Sequence, residues 1–191
     1  MTGNAITGVV LAGGQGRRMG GSDKGLIDLA GTTLVGRVVG RIAPQVAQVI
    51  VNANRHRERY ETFGYPVTAD LFTGSAGPLA GFHAGLRAAS TPLVLMVPCD
   101  TPALPDTLVD RLYSSLQDDI DIVFARDAQR AHPTVVLMKR YLVDDLEHFL
   151  NEGGRKIDQW YARHSHKACH FDEADAFINI NTPSDRDAFI S

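Results

Sequence analysis

The chain has 191 residues, of which 44% are hydrophobic and 21% are charged, and its formal net charge at pH 7 is −3. This length and composition fit one globular domain with a full core, so we expect a single domain over residues 1–191. The small negative charge argues against a general attraction to nucleic acid or to an anionic membrane. The two cysteines, Cys99 and Cys169, have neither C-x-x-C spacing nor the density of a disulfide framework, which also makes a metal cluster unexpected.

No stretch of the sequence has the pattern of a signal peptide or approaches the roughly 20 apolar residues that cross a bilayer. The sequence therefore predicts a cytoplasmic protein without membrane or nucleic-acid partners. We expect a monomer that acts on small molecules.

A glycine-rich loop follows the first predicted strand, the apolar run at residues 9–11 that is typical of a buried parallel strand. Glycines stand at positions 13, 14, 16, 20, 21 and 25, and the cations are Arg17, Arg18 and Lys24. Glycines let the backbone approach a ligand closely, and the cations supply positive charge. The loop therefore predicts a phosphate-binding site, with a solvated surface turn as the alternative.

Two common phosphate-binding motifs do not fit this loop. The dinucleotide fingerprint fails because Gly14-Gln15-Gly16 is followed three places later by Met19 in place of glycine. The P-loop fails because the pair Gly16 and Gly21 has the right spacing but is followed by Ser22, where a lysine is required. The loop is thus of another type.

Strand and helix patterns alternate along the rest of the chain. Strands are predicted at 46–51, 65–69, 93–97, 120–125, 134–138, 167–171 and 176–180. Helices are predicted at 34–43, 77–89, 108–116, 141–150, 157–164 and 183–190. This alternation predicts an α/β fold with three α/β/α layers and a mostly parallel, Rossmann-like sheet.

Polar residues follow three of the predicted strands directly. Asn52 follows the strand at 46–51, Asp70 the strand at 65–69, and Asp100 comes soon after the strand at 93–97. In open α/β sheets the ligand lies beyond the carboxyl ends of the strands. We therefore expect these three side chains near a bound molecule.

Six motifs, in this order along the chain, resemble those of the molybdenum cofactor guanylyltransferases, the MobA-type enzymes. They are Leu11-Ala-Gly-Gly-x-x-x-Arg-Met-Gly, Asp23-Lys24, Gly77-Pro-Leu-Ala-Gly81, Pro98-Cys-Asp-Thr-Pro102, His132-Pro-Thr134 and Asn179-x-Asn181-Thr-Pro183. The first motif occurs across nucleotidyltransferases, and the later ones narrow the choice to the molybdopterin branch. The resemblance implies a nucleotide-diphospho-sugar-transferase-like fold, transfer of GMP from GTP to molybdopterin, Mg²⁺ as the cofactor and release of pyrophosphate.

The resemblance also implies roles for individual residues. GTP-binding positions are Leu11, Ala12, Gly13, Gly14, Lys24, Asn52, Asp70 and Asp100. Arg18 and Lys24 would bind the β and γ phosphates, and Asp100 would hold Mg²⁺. Guanine would be selected by Asp70 or by a backbone carbonyl. Molybdopterin-side positions are Gly77, Gly81, Arg155, Asn179 and Asn181, and proteins that deliver molybdopterin or accept the finished cofactor are candidate partners.

Several alternatives stay open at this point. A non-catalytic carrier of nucleotide or pterin would need a similar loop, and sugar-1-phosphate nucleotidylyltransferases share the first motif. On the predicted strand at 176–180 and just after it, Asn179 and Asn181 would point to one face, where cross-strand hydrogen bonding competes with ligand binding. His132 either ends a turn or contacts a ligand.

Overall fold

The computed structural model describes residues 5–13, 23–72, 77–173 and 175–190. The strands in these ranges are β1 Ile6–Leu11, β2 Asp28–Leu29, β3 Thr32–Thr33, β4 Gln48–Asn52, β5 Val67–Thr68, β6 Leu93–Pro98, β7 Ile122–Arg126, β8 Ala131–Lys139 and β9 His166–His170. The α-helices are α1 Leu34–Ile42, α2 Arg57–Glu61, α3 Pro78–Ala88, α4 Leu108–Ser115, α5 Val143–Asn151, α6 Ile157–Tyr161 and α7 Pro183–Ile190. Short 3-10 helices lie at Lys24–Leu26, Ala43–Gln45 and Arg140–Leu142.

Seven of the described strands form one sheet in the order β5-β4-β1-β6-β8-β7-β9. All of its pairs are parallel except those of β8, which runs antiparallel to both β6 and β7. Strands β2 and β3 form a separate small hairpin. The predicted α/β fold with a mostly parallel sheet is confirmed.

The core lies on both faces of this sheet. On β1, Val10 packs into a cluster with apolar residues of α1 and α4, whereas its neighbour Val9 packs into a second cluster with residues of α3 and α5. Successive strand residues point to opposite faces, so an unbroken apolar run can serve both clusters. The three predicted layers follow from this arrangement.

Helix α1 shows how local sequence fixes an element. The Thr33 hydroxyl accepts a hydrogen bond from the Gly36 N–H at 3.1 Å and so caps the first turn. The apolar positions at helical spacing all point to the core, and they are Leu34, Val35, Val38, Val39 and Ile42. The helix returns across the sheet and leads to β4.

The structure corrects several predicted elements. The strand predicted at 176–180 is wrong, because this segment is irregular and is held by a hydrogen bond from the Ile180 N–H to the Asp100 carbonyl. Its buried apolar residues, Ala176, Phe177 and Ile180, anchor it to the core and do not pair in a ladder. The strand predicted at 134–138 begins earlier, at Ala131, so His132 lies within β8 and not in a loop. The helix predicted at 157–164 ends at Tyr161.

Strands β1, β4, β5 and β6 end at one edge of the sheet. The pairing places Leu11 opposite Asn52 on one side and Pro98 on the other, and Asn52 opposite Thr68. This edge carries the predicted site. No helix in the described ranges has the length and apolar character needed to cross a membrane.

Candidate active site

The ends of β1, β4 and β6 are joined by backbone hydrogen bonds just beyond the strands. The Ala12 N–H donates to the Asn52 carbonyl at 2.8 Å, and the Cys99 N–H donates to the Leu11 carbonyl at 3.1 Å. The start of the glycine loop is therefore fixed between the end of β4, which carries Asn52, and the loop after β6, which carries Asp100. This confirms that these predicted positions share one edge of the sheet.

Asp70 lies beside Asn52, as the strand ends predict, and is held by two asparagines. Its Oδ1 accepts from Asn52 Nδ2 at 3.0 Å and its Oδ2 accepts from Asn54 Nδ2 at 2.7 Å. The Asp70 N–H in turn donates to Asn54 Oδ1 at 2.8 Å. The carboxylate thus has a fixed orientation, and each oxygen keeps a free lone pair for another donor.

Asn54 is a site residue that the sequence analysis missed. Its amide makes a reciprocal pair of hydrogen bonds with the side chain and backbone of Asp70. The signal that could have identified it is its position, two residues after Asn52 in the same polar run beyond β4.

Two predicted glycines allow close approach at this site. A Cβ at Gly81 would lie 2.6 Å from Asn52 Oδ1 and 2.9 Å from Leu11 Cδ2. A Cβ at Gly13 would lie 2.8 Å from Asn54 Nδ2. A methyl group at either position would displace the side chains that orient Asp70, so glycine is needed at both.

Gly77 and Arg155 come together at the start of α3. Gly77 has a φ of +61° and precedes Pro78, and a Cβ on it would lie 3.9 Å from the Arg155 carbonyl oxygen. The Arg155 guanidinium donates through Nη1 to the carbonyls of Leu150 at 2.8 Å and Gly154 at 2.6 Å. This arginine therefore closes the end of α5 and lies beside the glycine motif.

The second cluster at this edge centres on Lys24. Its Nζ lies 2.5 Å from Asp100 Oδ2 and 2.6 Å from Asn181 Oδ1. The side chains of Lys24 and Asp100 are 15% and 17% exposed, so the ion pair lies at a partly buried position that a ligand can still reach. The predicted residues Lys24, Asp100 and Asn181 therefore meet, although their direct contact was not predicted.

Asn179 joins the same cluster through Thr101. The Thr101 hydroxyl donates to Asn179 Oδ1 at 3.3 Å, and the Ile180 N–H donates to the Asp100 carbonyl at 2.9 Å. Asn179 and Asn181 lie on an irregular segment and not on a strand, yet both side chains face the loop that follows β6. The predicted strand that would have put them on one face is wrong, and their proximity to Asp100 was not predicted.

Buried groups next to the cluster stay protonated. The Tyr60 hydroxyl donates to the Asp23 carboxylate, and burial raises the pKa of Tyr60 far above its usual value. This bond anchors the residue that precedes Lys24. Burial also raises the pKa of the Cys99 thiol to about 12, so Cys99 is a neutral thiol and not a nucleophile.

The oxygen atoms at Lys24 fit a hard divalent cation. Asp100 Oδ2 and Asn181 Oδ1 converge on one positive group, the ammonium of Lys24. Among the described residues no three His, Cys, Asp or Glu side chains converge. Mg²⁺ is typically held by one or two carboxylates together with water and substrate phosphates, so a single aspartate with an amide oxygen is sufficient.

Two predicted site residues, Gly14 and Arg18, lie outside the described residues. Apart from Gly77 and Arg155, which lie together at the start of α3, the other predicted positions fall into two groups along one edge. One group surrounds Asp70 and the other surrounds Lys24 and Asp100, with the backbone of residues 11–13 between them.

Comparison with known proteins identifies the family of the chain. Residues 8–168 match the MobA-like NTP transferase domain. The molybdenum cofactor guanylyltransferase of Shewanella loihica is 44% identical over 183 residues, which cover 95% of this chain and 93% of that protein. The protein of the same name from Shewanella sediminis is also 44% identical, with the same coverage.

A solved structure shares the fold. Molybdopterin-guanine dinucleotide biosynthesis protein A from Archaeoglobus fulgidus superposes with a TM-score of 0.77 at 23% identity, over 95% of each chain. The sequence match over most of the chain, supported by the common fold, shows the relationship. The chain belongs to the MobA-like NTP transferase family, whose members are nucleotidyltransferases.

Proposed function

We propose that the chain transfers GMP from GTP to molybdopterin, releasing pyrophosphate and forming the molybdopterin guanine dinucleotide cofactor. The observation that carries this proposal is the meeting of Lys24, Asp100 and Asn181 at the same edge of the sheet as the fixed carboxylate of Asp70. The names of the relatives at 44% identity support the choice of substrates.

The nucleotide side of the site suits a base that presents two adjacent hydrogen-bond donors. The Asp70 carboxylate has both oxygens oriented by amide donors and can accept from the N1–H and the exocyclic amine of guanine. Adenine and cytosine do not present that donor pair. The backbone of Leu11, Ala12 and Gly13 adds the remaining close contacts at the nucleoside.

The phosphate side of the site depends on charge. Lys24 and, from the sequence, Arg18 would bind the β and γ phosphates and stabilise the departing pyrophosphate. Asp100 and Asn181 would hold Mg²⁺, which when bound neutralises charge on the phosphate oxygens. In the structure the Lys24 ammonium and the Asp100 carboxylate form an ion pair. GTP binding would replace this ion pair by two contacts, one between Lys24 and a phosphate and one between Asp100 and Mg²⁺.

The acceptor side needs no general base from the protein. The attacking group is the terminal phosphate of molybdopterin, which is already ionised at neutral pH. The task of the protein is to hold it in line with the α phosphate and the leaving pyrophosphate. Asn179 and Asn181 are the candidates for this, with Gly77 and Arg155 as further acceptor-side candidates. Gly81 packs against Asn52 and so acts on the nucleotide side.

The direct test measures pyrophosphate release by the purified chain with molybdopterin, Mg²⁺ and each nucleoside triphosphate in turn. We expect release with GTP and none above background with the others. Equal or greater turnover with CTP would assign the chain to cytidylyl transfer. Consumption of a sugar phosphate in place of molybdopterin would assign it to sugar nucleotide synthesis.

Replacing Asp100 tests whether the site is catalytic. Asp100→Asn keeps the size of the side chain and removes its charge, so we expect turnover to fall by roughly 100- to 1,000-fold, measured as pyrophosphate release. Asp106→Asn is the matched control, because Asp106 follows the same strand but is exposed and pairs only with Arg41 among the described contacts. Full pyrophosphate release by the Asp100 variant would show that Asp100 is not needed for catalysis, whereas absence of release from the wild-type chain would favour a carrier over an enzyme.

A further inference from the structure

A buried histidine and aspartate that the proposed reaction does not use lie near the site. His132 is the second residue of β8, and Asp127 immediately follows β7. His132 Nε2 and Asp127 Oδ2 are 2.7 Å apart, and the two side chains are 7% and 11% exposed. Because β8 runs antiparallel to β6, its first residues lie at the edge where β1 and β6 end. The pair therefore faces the edge that carries the site.

The Asp127 carboxylate has a fixed orientation. Its Oδ1 accepts from the backbone N–H groups of Gln129 and Arg130, both at 2.7 Å, inside the turn that joins β7 to β8. Its Oδ2 is left to face the histidine ring. A carboxylate held at one oxygen by two backbone donors cannot rotate freely, so it fixes the plane of the His132 ring.

The His132 ring stacks on Phe177. The ring centroids are 4.6 Å apart and the planes differ by 26°. Phe177 is 2% exposed and also meets Phe171 edge-on, with centroids 5.1 Å apart. His132 is thus one wall of the pocket that holds Phe177.

Phe177 begins the segment that carries the two asparagines, and we call residues 177–181 the acceptor loop. This loop has no helix or strand of its own. At its other end it is held by the bonds from Thr101 to Asn179, from the Ile180 N–H to Asp100, and from Lys24 to Asn181. An irregular segment keeps its position only through such outside contacts. The His132 ring supplies such a contact at the first residue of the loop, where it stacks on Phe177.

We propose that His132, oriented by Asp127, is a positioning residue that sets the acceptor loop so that Asn179 and Asn181 meet the acceptor. The proposal rests on the function proposed above. None of the described contacts of His132 or Phe177 involves Asn52, Asn54 or Asp70. Loss of the stacked ring should therefore weaken use of the acceptor more than use of GTP, because the acceptor loop reaches the phosphate side only at its far end, through Asp100 and Lys24.

The test is steady-state kinetics with molybdopterin and GTP varied separately. His132→Leu fills the space but removes the ring, and we expect the KM for molybdopterin to rise by roughly three- to tenfold, the value of an aromatic pair. His132→Phe keeps a ring that Asp127 no longer orients, so its KM for molybdopterin should lie between those of wild type and His132→Leu. The KM for GTP should rise by a clearly smaller factor than the KM for molybdopterin in both variants. The control is His148→Ala, an exposed histidine of α5.

A second measurement does not depend on activity. Hydrogen exchange at the Ile180 amide, which is bonded to the Asp100 carbonyl, should be faster in His132→Phe than in wild type. This readout remains available if His132→Leu fails to fold. The proposal is overturned if the two KM values rise by the same factor, if the KM for molybdopterin is unchanged, or if exchange at Ile180 is unaffected. Absence of GTP and molybdopterin turnover in wild type would instead overturn the proposed function.

Discussion

Asn52 is the side chain that links the nucleotide side of the site to helix α3. It is 1% exposed, its carbonyl accepts from Ala12, and its amide donates to Asp70. On its other side its Oδ1 lies where a Cβ of Gly81 would be. A buried amide with so little free space transmits any change at α3 directly to Asp70.

Gly81→Ala tests this link. The added methyl group would lie 2.6 Å from Asn52 Oδ1 and must displace it. Overpacking of this kind costs about 1–3 kcal/mol. Because the added methyl group displaces Asn52, which orients Asp70, we expect the KM for GTP to rise by roughly tenfold. The measurement is the KM for GTP at saturating molybdopterin.

Gly85→Ala is the matched control on the same helix. Its Cβ would lie 2.8 Å from Val9 Cγ1 and 3.1 Å from Met96 Cε, in the core and away from Asp70. We expect Gly85→Ala to lose about as much thermal stability as Gly81→Ala and to keep a KM for GTP within about twofold of wild type. Equal effects of the two variants on the KM would show that Gly81 matters only for packing.

At the scale of elements, the turn between β7 and β8 depends on Asp127. Its carboxylate accepts from Gln129, Arg130 and His132, and these bonds close the turn that reverses the chain. Without this reversal β8 would not run antiparallel to β6, and His132 would not reach the edge of the site. One aspartate therefore connects local turn chemistry to the position of the acceptor loop.

Asp127 predicts how stability depends on pH. The hydrogen bond from the Arg130 backbone, with the bond from His132, lowers the pKa of Asp127 from 3.8 to about 2. Because the pKa is lower in the folded state, the stabilisation is complete above pH 3.8 and is lost as the pH falls through about 2. Asp127→Asn should thus have a lower Tm than wild type at neutral pH, and the difference should shrink between these two values.

The measurement is thermal unfolding by circular dichroism at a series of pH values. Asp158→Asn, at an exposed aspartate of α6, is the control, and its difference from wild type should stay constant over the same range. A constant difference for Asp127→Asn as well would mean that the ionised carboxylate does not stabilise the turn.

The predicted elements differ in how well the sequence determined them. Strands β1 and β6 and helix α1 have long apolar patterns and were located to within a few residues. Helix α2 was missed because only Tyr60 of its five residues is buried, which leaves no periodic pattern. The apolar residues at 176–180 gave a false strand, since burial alone does not distinguish an anchored loop from a ladder.

The site was predictable where it depends on strand ends and not where it depends on long-range contacts. Asn52, Asp70 and Asp100 follow strands, and parallel strands end at one edge. The contact between Lys24 and Asp100 joins residues that are 76 positions apart, and no local pattern carries that information. The same holds for the stacking of His132 on Phe177.

At the scale of the whole molecule, the two cysteines report on the larger core. Cys99 follows β6 and Cys169 lies on β9, and the two are 5% and 7% exposed. Both belong to the cluster that α1 and α4 cover on one face of the sheet. If residues 1–191 form one cooperative domain, as the sequence predicts, the two thiols should become reactive only in the same opening event.

Thiol labelling therefore tests the single-domain prediction. Native protein is treated with a disulfide reagent for increasing times, and the modified cysteines are identified by peptide mapping. We expect Cys99 and Cys169 to react at equal rates. With Mg²⁺ and GTP at a hundred times its dissociation constant, both rates should fall by roughly a hundredfold, since that ligand concentration stabilises the folded state by about 2.7 kcal/mol. Faster labelling of Cys169 that GTP does not slow would show that the β9 side opens independently, and the chain would then not be one cooperative domain.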